Sequence, residues 1–257
     1  MRLFILAALV TFAAVTPARS QPPVRERLDP TVQNRDSSTL TIANPGIERG
    51  IIGLIGITAS EINPLFELCK REGVIVFVQT PDSELASLLR ARADKAHLLG
   101  RRLFVQTGSL DNIHLGNNVA DQIFVNAALQ KSIPKAEVMR VLRPRGIAVF
   151  GNEQRVKPVP AGTDDWSHPY HGPDNNPQSK DQLVRGNFRT QFIGYPKFSP
   201  MPEQTVIAGG RIYKAMGHIA HKANQNEMLN TLLCINAYNG MILWRRDLSP
   251  GFMLHRN

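Results

Sequence analysis

The residues nearest to a metal-binding pattern are two H-x-x-H pairs, His168–His171 and His218–His221. On a helix that spacing puts both imidazoles on one face, where an ion could join them. The first pair lies in proline-rich chain and the second in strand or loop. Neither belongs to an H-E-x-x-H string, so no metal site is expected. Ser83, Ser109 and Ser132 stand outside any G-x-S-x-G context, which leaves a hydrolase nucleophile without support. Asp164 and Asp165 read as a turn or cap rather than an acid–base pair. Cys69 and Cys234 sit in apolar strings (LFELCKR and TLLCINA) and read as two buried thiols; two cysteines cannot staple a small fold. No catalytic residue is assigned. The groups that could hold a cofactor lie in two short stretches: Gly56-Ile57-Thr58-Ala59-Ser60, and Gln79 with Asp82 three residues on.

The chain that must position them has 257 residues, room for one or two domains at roughly 100–200 residues each. Hydrophobic residues make up 42% and charged residues 20%, which excludes disorder for the bulk of the chain. The net charge is +9, but no run of five or six basic residues occurs and aromatics are only 7%. A single-strand stacking platform would want more, so the charge reads as a dispersed solvated face and no specific nucleic-acid partner is expected. The chain opens Met1-Arg2, an apolar run Leu3 to Val15, then Ala18-Arg19-Ser20. This reads as a secretory signal cut after Ser20, with a soluble mature chain that is periplasmic or extracellular. The run is short of the ~20 residues that span a bilayer; an uncleaved N-terminal anchor is the alternative. Residues 21–43 read as a linker.

From Gly46 to Gly151 short apolar runs alternate with helical spacing. Gly50–Ile57, Val74–Val78, Leu103–Gln106, Asp121–Asn126 and Ile147–Gly151 are expected strands. Ser60–Glu72, Asp82–Leu99 and Lys135–Leu142 are expected helices, the second with Leu85, Leu88, Leu89, Arg92 and Ala96 on its inner face. Continuous apolar strands between helices mean a parallel, doubly wound α/β sheet covered on both faces. Its ligand crevice would lie at the carboxyl ends of the strands. Residues 153–202 are proline-rich and turn-rich, and read as a linker. Thr205–Ala208, Arg211–Ala215, Asn230–Asn236 and Met241–Arg245 then read as antiparallel strands, the last two joined across Asn239-Gly240.

The string Glu137-Val138-Met139-Arg140-Val141-Leu142-Arg143-Pro144-Arg145-Gly146 resembles the E-x-x-R-V-L-x-P-G-G segment of class I S-adenosylmethionine-dependent methyltransferases. Asp121-Gln122-Ile123 resembles the start of their fourth strand. The resemblance covers residues 44–152 and implies a Rossmann-like domain with S-adenosylmethionine as its cofactor. It would place Gly56, Thr58, Ser60, Gln79 and Asp82 at that cofactor. The family's first loop reads G-x-G-x-G, and here only Gly56 survives; Thr58 is β-branched and resists φ > 0. Gln79 stands where the family has an acid for the ribose hydroxyls, without the charge-assisted strength. The site is therefore expected to be degenerate.

Gly209-Gly210-Arg211-Ile212-Tyr213 and the stretch Leu232 to Trp244 resemble one blade of a PQQ-like, quinoprotein-type β-propeller, with Asn236 where the family often has Asp. Asp164-Asp165-Trp166-Ser167-His168 and Asn175 to Asp181 resemble the segment that leads into such a propeller. The combination is similar to exported bacterial, planctomycete-type proteins. Residues 203–257 hold one blade, whereas a propeller uses about four to eight. PQQ binding is not expected and the blade is expected to be loosely held; either the chain is truncated after one blade, or a protein partner or second chain would have to complete it. The leading function is an exported scaffold or binding protein. An active methyltransferase with a variant loop, or a fragment of a quinoprotein dehydrogenase, are the alternatives.

Overall fold

The computed structural model describes residues 41–194, 202–217 and 219–248. The expected signal segment, most of the linker that follows it, His218 and residues beyond 248 lie outside the described residues.

Val- and Ile-rich runs form β1 (Gly50–Ile55), β2 (Val74–Thr80), β3 (Leu103–Thr107), β4 (Ala120–Val125) and β5 (Leu142–Phe150). Interleaved are α1 (Ile62–Cys69), α2 (Ser83–Lys95) and α3 (Lys135–Val141). The strands order as β3-β2-β1-β4-β5, all parallel, so chain direction along the sheet reverses between β1 and β4. This is the doubly wound arrangement the apolar runs predict. Ile52, Leu54, Val76 and Val78 pack under α1 and α2, while Ile123, Ala148 and Phe150 pack on the other face with α3.

Three local readings are corrected. The buried face of α2 is Leu85, Ala86, Leu89 and Ala93, while Leu88 is 55% exposed and Arg92 and Ala96 are exposed. The two alanine methyls let the helix lie close on the sheet, and Arg92 spreads its guanidinium over the Phe66 ring at 4.5 Å. Residues 153–156 are not linker: β6 (Glu153–Val156) turns back at Gly151, φ +61°, and pairs antiparallel with β5. Its four exposed residues carry no apolar alternation to reveal it. Finally, β5 starts at Leu142 and not at Ile147, with a bulge at residues 143–146 against β4. Gly146 is required there, since a Cβ would meet the carbonyl oxygens of Arg143 and Asp121 at 2.9 Å.

The second sheet has four antiparallel strands in the order β10-β9-β8-β7: β7 (Pro202–Ala208), β8 (Arg211–Met216), β9 (Thr231–Asn236) and β10 (Ile242–Asp247). Its core is small: Met216, Met228, Leu233 and Ile235, with Ile212 and Ile242 against them. Trp244 lies 6.1 Å from Tyr213, ring centre to ring centre, and is 41% exposed. Among the described residues no helix is long and apolar enough to cross a membrane.

Candidate functional site

The carboxyl edge of the parallel sheet is where this fold receives ligands, and each expected site residue can be placed there. Gly56 follows β1 with φ +73°, the left-handed region that favours glycine. The space a side chain would need is already taken: a Cβ on Gly56 would meet Leu129 Cδ1 at 2.8 Å and Leu110 Cδ1 at 3.5 Å. Thr58 does not meet the expected conflict with φ > 0. It is extended, at φ −115°, and opens the short turn Ala59–Glu61 through a capping box. Its backbone N–H and hydroxyl both donate to Glu61 Oε2, at 2.7 and 3.1 Å, and its hydroxyl also pairs with Ser60 Oγ at 3.0 Å.

Gln79, at the end of β2, is fully buried. Its Nε2 donates to the carbonyls of Ser109 (2.6 Å) and Asn112 (2.8 Å), and its Oε1 accepts from the His114 N–H (2.8 Å). Both amide hydrogens and the carbonyl are thus spent on the β3–β4 loop. Asp82 is the N-cap of α2 and accepts from the Glu84 and Leu85 N–H groups at 2.9 and 3.0 Å. So the structure brings Gly56, Thr58 and Ser60 together, and sets Gln79 and Asp82 to separate backbone tasks.

The same β3–β4 loop is held from its other side by the E-x-x-R pair. Glu137 and Arg140 bond bidentately at 2.6 and 2.8 Å, and Arg140 also donates to the carbonyls of Ile113 and Leu115. Arg140's hydrogen bonds hold the Glu137 carboxyl below its usual range, and the pairing raises Arg140 in turn. Beside the loop, Lys157 reaches Asn118 Oδ1 and the Leu142 carbonyl, both at 2.7 Å, and burial lowers its pKa.

The opposite, amino edge carries a centre that sequence reading missed. Asp121, 4% exposed, accepts from the Ile51 N–H (2.8 Å) and Arg143 Nε on the parallel sheet. It accepts as well from Asn236 Nδ2 and Asn239 Nδ2 (2.8 Å each) on the β9–β10 turn. Asn239 Nδ2 is shared with the Val119 carbonyl at 2.9 Å. One buried carboxylate therefore joins β1, β4 and β5 to the second sheet. The segment before β7 adds to this: Trp166 pairs with Ile207 as an extra bridge, and Asp165 accepts from the Gly209 N–H.

Asp164, read as a turn or cap, caps no helix among the described residues and instead ties one loop together. It accepts from the Lys180 N–H (2.6 Å), Ser179 Oγ and His171 Nε2 (2.7 Å), and these bonds hold its carboxyl down to about 2. His171 packs edge-on against Trp166. Among the described residues no three His, Cys, Asp or Glu side chains converge on a metal position. Cys69 and Cys234 are both free and buried, and burial pushes the thiols up to about 12 and about 11.

No family model matches the chain, and no curated protein does. Solved structures match part of it. A Galdieria sulphuraria protein described as a sarcosine dimethylglycine methyltransferase is 23% identical, over 39% of this chain and 38% of its own, with a TM-score of 0.34. A SAM-dependent methyltransferase from Aquifex aeolicus is 18% identical, over 38% of this chain and 54% of its own, with a TM-score of 0.32. The chain spans about half or less of the length of these structures.

Proposed function

We propose that this chain is an exported scaffold or binding protein, in which a methyltransferase-like sheet with a degenerate cofactor crevice carries a propeller-like antiparallel sheet. The observation that carries the reading is Gln79. A side chain that should accept from ribose hydroxyls is fully buried, with both amide hydrogens and one lone pair of its carbonyl committed to the β3–β4 loop. Leu129 and Leu110 fill the approach to Gly56, and Asp82 is committed to α2. These residues do not fit S-adenosylmethionine. The second reading, a methyltransferase with a variant loop, draws on Gly56, which keeps the left-handed backbone that close approach to a ligand needs. The four antiparallel strands support a blade-like unit. Export with cleavage after Ser20 completes the proposal; the mature chain would begin at Gln21.

Calorimetric titration of S-adenosylmethionine into the full chain tests the reading. The expected result is no saturable binding below millimolar ligand. A low-micromolar dissociation constant would return the chain to the enzymes.

A further inference from the structure

A cavity of about 330 Å³ opens at the carboxyl ends of β1, β4 and β5, at the lower end of the range for small-molecule sites. Its walls are apolar: Ile42, Ile57, Pro64, Phe124 and Val149. Among its lining residues only Glu61 is charged. That carboxylate is fixed at one oxygen. Its Oε2 accepts from the Thr58 N–H, the Thr58 hydroxyl and Asn126 Nδ2 at 2.7, 3.1 and 3.0 Å. Asn126 is itself anchored, with its Oδ1 accepting from the Ala128 N–H at 2.9 Å. Every one of these contacts falls on Oε2; among the described residues Oε1 has no partner. Glu61, half-buried, thus stands among the apolar lining residues as the one charged side chain, held in place through Oε2.

We infer that this cavity is a binding site for a small organic ammonium, with the cation on Glu61 Oε1 and an apolar body against Phe124, Val149 and Ile57. The charge decides the class. A carboxylate ligand would meet a like charge with no cation on the walls. A neutral hydrocarbon would leave the carboxylate oxygen desolvated and unpaired. An ammonium supplies the donor in the charge-assisted form, about twice as strong as a neutral one. The fixed geometry of Oε2 means that little side-chain freedom is lost on binding. The inference goes beyond the scaffold reading and does not depend on it: Gln79 and Asp82, which carry that reading, are not among the lining residues, although Glu61 also holds Thr58 of the expected cofactor loop.

The test is calorimetric titration of the full chain with phenethylammonium, 2-phenylethanol and 3-phenylpropionate. The ammonium should bind saturably, and the alcohol and carboxylate at least tenfold more weakly, or about 1.4 kcal/mol. Glu61→Gln keeps a residue that can complete the capping box and should lose the same tenfold for the ammonium alone. Ala127→Phe, at an exposed lining position, should weaken the ammonium by filling the mouth. Equal binding of ammonium and alcohol, or unchanged ammonium binding in Glu61→Gln, overturns the proposal, as does no binding to the wild-type chain. None of these results alters the S-adenosylmethionine titration, so the two readings fail separately.

Discussion

The two edges of the parallel sheet spend their polar side chains in opposite ways. At the carboxyl edge, Gln79 turns inward onto the backbone of a single loop, the one between β3 and β4. At the amino edge, Asp121 turns outward from its own strand to gather groups from both sheets. A buried carboxylate is costly unless every lone pair is met, and Asp121 meets that condition only with the β9–β10 turn in place. The difference teaches that the conformation of the second sheet is written partly into the first. An antiparallel sheet with so small a core gains from an external anchor what its own packing does not supply.

Breaking the amino edge should have the largest effect. Asp121→Ala takes the carboxylate from the half-buried Arg143 guanidinium, the buried Asn236 amide and the Ile51 N–H, and removing one partner of a buried pair costs about 3–5 kcal/mol. Urea unfolding should show that loss, and limited proteolysis should cut within residues 202–248 first. A loss confined to a few tenths of a kcal/mol would mean that the turn does not depend on this carboxylate.

Breaking the carboxyl edge should cost less. Gln79→Leu keeps the volume but strands two carbonyls and one N–H, at about 1–3 kcal/mol. The damage should be local, read as faster amide exchange at residues 109–114. If the whole sheet loosened instead, the loop would be part of the cooperative core and not a lid fixed upon it.

Trp244 sharpens the comparison from the other side. Truncating a well-buried tryptophan costs about 3–5 kcal/mol, but this ring is 41% exposed and rests mainly on Tyr213. Trp244→Ala should therefore cost about 1–2 kcal/mol. A value in the full range would show that something further covers the ring.

Much of this was legible in the residues. VIVFV and IAVFG could only be buried strands, and Asn239-Gly240 marked the hairpin. The α2 face was misread because Leu88 and Arg92 share a helical period with the true core positions, whereas in the structure both are exposed and Arg92 covers the Phe66 ring from outside. The role of Asp121 was not legible. Its partners Asn236 and Asn239 lie more than a hundred residues away, and nothing local to the Asp121-Gln122-Ile123 string records them. Gln79 was noticed for its chemistry, but its loop partners are backbone groups that no side-chain pattern can reveal.

The smallest expected effect is on acid stability. Asp164 has its carboxyl held at about 2, below its ordinary 3.8. Its contribution is present above about pH 4 and is lost as pH falls through about 2. In a Trp244→Phe background, Trp166 fluorescence should change over that window, since His171 packs on its ring. Asp164→Asn should abolish the change, and a transition that persists in it would assign the effect elsewhere.

The measurement that bears most directly on the tie between the two sheets is native-state hydrogen exchange, comparing β4 and β5 with β8 and β9. If Asp121 holds the sheets as one cooperative unit, Ile123 and Val149 should share the opening free energy of Tyr213 and Cys234 in the wild-type chain, and lose that equality in Asp121→Asn. Antiparallel-strand amides that open several kcal/mol more readily in the wild-type chain, with no further change in the variant, would show that the second sheet is loosely held and that the carboxylate does not anchor it.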